Sequence, residues 1–330
     1  MISRKDTPLT IGVDLGGTKL AAALVTEDGQ VLEDVRRPSE PAKGGEQIVL
    51  AIAEAARILS DAAGDHEIVG IGVGVAGQVD PETGAVRHAP NLHWSDFPLK
   101  AHLEESVHLP VAVLNDVQAA TYGEWVHGAG HGADDLVCMF VGTGVGGGVI
   151  ANGELVRGYG GSAGEVGHIT VDLHGPPCRC GNRGCVEAYA GGWAIAERAR
   201  AAALADAQLG AALLALEDGD VDRIGAHTVA RAAEAGDKLA LRIVRETGEA
   251  LGAGAAAIVN GFNPCLLVLG GGVIDGIPQL LPIVDEVMRR RALRAAVEEL
   301  RIVPPRLGSH AGAIGAATWI LRQLGRSGDI

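Results

Sequence analysis

The chain has 330 residues, a formal net charge of −14 at pH 7, 47% hydrophobic residues and only 3% aromatic ones. That acidic balance argues against nucleic acid or an anionic membrane as partner. No apolar run reaches membrane length and no secretory signal pattern opens the chain, so a cytoplasmic location is expected. A chain of this length can bury a sizeable core and is expected to divide into two lobes.

Thr10 to Val25 reads TIGVDLGGTKLAAALV, an apolar strand, a Gly-Gly turn and a second apolar strand, followed by an Asp28-Gly29 hairpin turn. Within it, Asp14, Gly16, Gly17, Thr18 and Lys19 make a first phosphate candidate. Glycines let backbone N–H groups approach phosphate oxygens, Thr18 adds a hydroxyl, and Asp14 can hold Mg²⁺ directly or through water. A plain hairpin turn is the competing reading, since neither the Walker A spacing nor a dinucleotide fingerprint is present. Gly44 to Gly64 is Ala-rich with helical spacing, and Ile68 to Val75 is a strand ending in a Gly-rich bend. Pro110 to Leu114 is a short buried strand running into Asn115-Asp116, with a helix over Val117 to Val126. Asn and Asp suit a helix N-cap there. An Asp at a strand end can also take a proton from a substrate hydroxyl and orient it for attack on phosphorus.

Leu136 to Glu154 repeats the opening design, and its Gly142-Thr143-Gly144 turn offers the same donors as the first. The echo implies two related lobes whose hairpin tips face a shared cleft. Gly192 to Leu251 is mostly helical, Leu266 to Leu269 is a strand followed by three glycines, and Ala311 to Leu324 is a closing helix. Alternating strands and helices indicate an α/β architecture.

Between these elements, His168 to Glu187 reads HITVDLHGPPCRCGNRGCVE and holds three of the five cysteines. His168 with Cys178, Cys180 and Cys185 makes a tetrahedral zinc set with no open position, hence a structural site. His174 is the alternative imidazole on spacing alone, and a chance Cys-rich loop or a disulfide with a spare thiol is the competing reading. Gly181 and Gly184 provide permissive backbone around an ion. Glu165 and Glu187 flank the segment, so a zinc knot there would place two carboxylates and an imidazole together, able to bind several hydroxyls. Cys138 and Cys265, in LVCMF and CLLVL, are expected to be buried thiols.

Four motifs in order, DLGGTK at Asp14, VGTGVGGG at Val141, GEVGH at Gly164 and CRCGNRGCVE at Cys178, resemble the ROK family of sugar kinases and regulators, over nearly the whole chain. The resemblance implies a two-lobed actin-like ATPase (ribonuclease H-like) fold with a cleft between lobes and a zinc knot. The small lobe is expected over 1–116 plus 311–330, and the large lobe over 117–310 with its zinc segment at 168–187. It implies an ATP-dependent hexokinase acting on the 6-hydroxyl of glucose with Asp116 as base. An N-acylhexosamine, mannose or fructose kinase is the nearer alternative, and a sugar-responsive regulator the more distant one. Such regulators carry a helix-turn-helix domain ahead of the first strand, for which Ile11 leaves no room, and the net charge is wrong for DNA. Asn91, Asn115, Glu165, His168 and Glu187 match sugar ligands, and the family pattern favours His168 over His174 as zinc ligand. Gly16, Gly17, Thr18, Lys19, Thr143 and Gly144 match the phosphate loops, Asp14 the carboxylate near Mg²⁺, and Gly271 and Gly272 the adenosine-side turn. ATP with Mg²⁺, a structural Zn²⁺, a hexose partner and a homodimer or homotetramer are expected.

Overall fold

The structure is a computed structural model that describes residues 8–326. β1 (Leu9–Leu15) and β2 (Lys19–Thr26) form an antiparallel hairpin closed by the Leu15–Leu20 pair, and β3 (Val31–Pro38) continues the meander. β4 (Ile68–Val75) and β8 (Val111–Asn115) add in parallel, giving the order β3-β2-β1-β4-β8. Between them, β5 (Gln78–Val79), β6 (Val86–Ala89) and β7 (Trp94–Phe97) make a small antiparallel sheet.

Both β1 and β4 are apolar at successive positions because both faces of the sheet are covered. Ile11, Val13 and Leu15 join Ile48, Ile52 and Leu59 of α1 (Gly45–Ala63) in one core. The alternate positions Gly12 and Gly72 face α12 (Ala311–Gln323), as the two-residue period of a strand requires. A Cβ at Gly12 would lie 1.8 Å from the Ala313 carbonyl oxygen and one at Gly72 1.7 Å from that of Ala316, so helix and strands touch backbone to backbone. α2 (Leu99–Val107) and α3 (Asp116–His127) flank β8 in the chain.

The second five-stranded sheet contains β9 (Leu136–Val141), β10 (Val145–Ala151), β11 (Glu154–Leu155), β12 (Leu266–Gly270) and β13 (Arg301–Val303), in the order β11-β10-β9-β12-β13. Taken by rank in each sheet, both read third, second, first, fourth, fifth, so the echo seen between the two hairpins extends to whole sheets. The remaining helices are α4 (Val186–Ala190), α5 (Gly192–Ala205), α6 (Ala211–Leu216), α7 (Ala226–Glu234), α8 (Lys238–Phe262), α9 (Gly272–Gly276), α10 (Leu280–Arg291) and α11 (Arg294–Val297). No helix among the described residues is long and apolar enough to cross a membrane.

The chain forms two compact units. One comprises the stretch through Leu136, Gly148–Gly164 and the stretch from Pro305; the other comprises Val137–Gly147 and Glu165–Pro304. The first boundary therefore falls at Leu136 rather than after Asp116. The reason is that α3 packs on α12, and its buried Glu124 carboxylate accepts the N–H groups of Ala129, Arg306 and Leu307 at 2.8 to 3.0 Å. Cys138 is buried inside β9, whereas Cys265 is exposed because it precedes β12 instead of lying in it.

Candidate functional site

In the first unit the relevant residues sit at the carboxyl ends of parallel strands, where α/β folds place their ligands. Register pairs Leu15 with Val75 and Val75 with Asn115, so the ends of β1, β4 and β8 are level. Asp14 is the penultimate residue of β1. Burial pushes its carboxyl above the usual carboxylate range, opposed by Lys19. A Cβ at Gly312, at the start of α12, would lie 3.0 Å from the Asp14 carboxyl carbon and would crowd that carboxylate. The turn from Gly16 to Lys19 is closed by a Gly16 N–H donated to the Lys19 carbonyl at 2.9 Å. Gly17 lies against Asn91, whose Cβ would be 2.7 Å from a Cβ at that glycine. The structure thus brings Asn91, on the 3-10 turn Pro90–Leu92, to the turn between β1 and β2.

Asn115 closes β8 and caps α3. Its side-chain oxygen accepts from the N–H groups of Val117 at 2.9 Å and Gln118 at 3.1 Å, and its amide donates to the Gly77 carbonyl at 3.2 Å. The cap reading therefore holds for Asn115. Asp116 is the first helical residue, and its Oδ1 accepts the Val117 N–H at 3.0 Å. Gln118 was not singled out from sequence. It is 3% exposed, and its amide nitrogen donates to the carbonyls of both Gly161 and Ala163 at 3.0 Å.

In the second unit, Glu187 on α4 is the junction. Its Oε2 accepts the Val145 N–H at 2.9 Å, and its Oε1 receives the Trp193 indole N–H at 3.4 Å. A Cβ at Gly144 would fall 2.5 Å from the same carboxylate. The start of α5 braces the turn from behind: Gly192 N–H donates to the Gly142 carbonyl at 2.9 Å and Trp193 N–H to the Thr143 carbonyl at 3.3 Å. Trp193 went unread because the turn it braces, at Thr143, lies far upstream in the chain. Glu165 is electrostatically coupled to both His168 and Glu187: burial pushes its carboxyl up, His168 opposes and Glu187 adds. Glu165, His168 and Glu187 thus lie together. Gly271, with φ of 103°, lies against β9, where a Cβ would meet the Val141 carbonyl oxygen at 2.6 Å, while Gly272 faces open space.

His168, Cys178, Cys180 and Cys185 offer ligand atoms all within 4.8 Å of one another. Cys180 Sγ and Cys185 Sγ are 3.7 Å apart, and Cys178 Sγ is 3.7 Å from His168 Nδ1. The edges of a tetrahedron built on Zn–S of about 2.3 Å and Zn–N of about 2.0 Å are roughly 3.5 to 3.8 Å, so the donor set fits zinc, and the separation is far too long for a disulfide. Nδ1 faces the thiols, which leaves Nε2 of His168 for another partner. Burial and the neighbouring sulfurs push Cys185 up to about 12, and burial raises Cys178. A dication among them reverses that penalty. Gly184 makes the fold of the loop possible: with φ of 66°, a Cβ would stand 1.6 Å from the Asp172 carbonyl oxygen. His174 is exposed and outside the set; its N–H donates to Asp172.

A family model described as the ROK family matches residues 10–323. The chain is 39% identical over 310 residues to a glucokinase of Streptomyces coelicolor, covering 94% of this chain and 96% of that protein. It is 35% identical over 316 residues to a glucokinase of Thermotoga maritima, covering 96% of this chain and 98% of that protein. A crystal structure of a ROK family glucokinase from Streptomyces griseus in complex with glucose and AMPPNP superposes with a TM-score of 0.80 at 40% identity, covering 96% of this chain and 99% of that one.

Proposed function

The chain belongs to the ROK family, and from that membership we propose that it is an ATP-dependent glucokinase. The observation that carries the reading is the near full-length match to glucokinases, with 39% identity over 94% of the chain. Asp116 accepts the proton of the sugar 6-hydroxyl as that oxygen attacks the γ-phosphorus. The bond from the γ-phosphorus to its bridging oxygen breaks, ADP departs, and the hexose 6-phosphate remains. Phosphoryl transfer asks little covalent work of a protein, so positioning and charge stabilisation carry the rate. Glu165, Glu187, His168 through Nε2, Asn115 and Asn91 hold hydroxyls. Gly16 to Lys19, Thr143 and Gly144 receive the phosphates, and Gly271 and Gly272 lie on the adenosine side. Asp14 is the carboxylate for Mg²⁺, and its burial-raised carboxyl fits a group relieved by a nearby dication. Bound Mg²⁺ neutralises phosphate charge. Zinc fixes the relation between His168 and Glu187 and takes no part in the chemistry. A cytoplasmic homodimer or homotetramer is the form proposed.

A coupled assay of hexose-dependent ADP release tests this across glucose, mannose, fructose, N-acetylglucosamine and N-acetylmannosamine. Glucose is expected to give the highest kcat/KM. An N-acetyl sugar ahead of glucose would reassign the substrate, and no turnover with any of them would remove the activity.

A further inference from the structure

The first turn of α3 ties down two other segments of its own unit. Asn115 anchors the bend after β4 through the Gly77 carbonyl. Gln118, one turn on, anchors the loop at Gly161 and Ala163 through both N–H groups of a single amide. This loop is glycine-rich and its conformation is demanding: Gly158, Gly161 and Gly164 all have positive φ, at 74°, 79° and 91°. Gly161 is pressed so closely on β5 that a Cβ would sit 2.0 Å from the Val79 carbonyl oxygen. Few bonds hold the loop otherwise. Ala163 N–H donates to the Arg157 carbonyl at 3.0 Å, and Gly161 N–H reaches the Gly158 carbonyl at 3.4 Å. A chain with this much glycine has wide freedom to lose, so two directed bonds from a rigid helix are what select one path. The path matters because the next residue after Gly164 is Glu165.

We propose that Gln118 is a positioning residue for sugar binding: by holding the Gly161 and Ala163 carbonyls, it sets the point from which the chain delivers Glu165. This rests on the reading of Glu165 as a hydroxyl ligand. The amide is suited to the task, because glutamine presents two donors on one nitrogen, one for each carbonyl. A hydroxyl or a carboxylate in its place cannot serve both. Gln118 shares a helical turn with Asp116.

The test is a double-mutant cycle between Gln118→Met and Glu165→Gln, with glucose KM, ATP KM and kcat measured for all variants, and zinc content and melting temperature recorded. Gln118→Met keeps length and apolar bulk but removes both donors. It is expected to raise glucose KM by about 10-fold or more, the scale of a displaced binding group, with ATP KM and zinc content held. In the Glu165→Gln background the same change is expected to add little, because its effect passes through Glu165. Gln118→Asn, with both donors on a shorter stem, is expected to fall between, and it carries the same cycle if the Met variant does not fold. A raised glucose KM in Glu165→Gln beside an unchanged one in the Gln118 variants overturns the positioning role alone. Fully additive effects, or a loss of stability with both KM values unchanged, also overturn it. An unchanged glucose KM in Glu165→Gln overturns the reading of Glu165 itself.

Discussion

Asp116 stands at the first position of α3, where the N–H groups of a helix start favour a negative charge. Asp116→Asn retains the oxygen that accepts the Val117 N–H, so the helix start survives, but the amide cannot take a proton. We expect kcat to fall roughly 10²- to 10⁴-fold, the usual worth of a positioned base, with glucose binding in calorimetry nearly unchanged; activity within a few-fold of the parent would mean that another group accepts the proton. The place of Asn115-Asp116 was legible in the sequence because an apolar strand gives way to a helix there. Gln118 and Trp193 were not, since Gln118 meets carbonyls far along the chain and Trp193 braces the distant Thr143 carbonyl as well as the nearby Glu187. A lone Gln or Trp carries no mark of the carbonyl or carboxylate it will meet.

Residues 168–187 form a short segment on which four candidate metal donors converge. Cys180 is the exposed member of the set, so Cys180→Ser changes little besides the metal. We expect the purified variant to contain much less than one zinc per chain by elemental analysis, and to lose glucose phosphorylation with it, because Glu187 follows Cys185 by two residues and holds the Val145 N–H. Full activity without metal would show that the loop keeps its shape unaided. α12 is held by close packing. A Cβ at Gly315 would lie 1.7 Å from the Ala119 carbonyl oxygen of α3. Backbone on both sides leaves nothing soft to move, so Gly315→Ala should destabilise the protein by about 3 kcal/mol or more, read as a lower denaturant midpoint; an unchanged midpoint would show that the helices can part. Sequence periodicity revealed the hairpins, β4, α3 and α12 because they are long or strongly apolar. It missed the sheet of β5 to β7, whose strands run to two to four residues, and α2, whose polar face dilutes its pattern.

At the scale of the whole molecule, His127 is one group through which acid is expected to act. Burial of its half-covered ring depresses its pKa below the ordinary 6.5, Asp28 opposing and His131 adding. The folded protein therefore binds fewer protons than the unfolded chain between the depressed value and 6.5, and stability drops as pH falls through that window. Asp14 works the other way: its raised carboxyl favours the fold at low pH, and that contribution is lost as pH climbs through the folded value. Melting curves at pH 7.5 and 5.5 should show a smaller difference for His127→Gln than for the parent, by about 1 kcal/mol or less; an equal difference would place the acid sensitivity elsewhere. The border of the first unit lies beyond α3, because Glu124 secures that helix to residues 306 and 307, far along the chain. The same arrangement has a meaning for synthesis. β1 and β4 leave the ribosome early, yet the helix that covers one face of them is α12, made near the end. At about 5–20 residues per second the nascent sheet waits tens of seconds with that face bare. Translation halted before Ala311 should yield chains that chaperones retain or that aggregate, however complete their second unit.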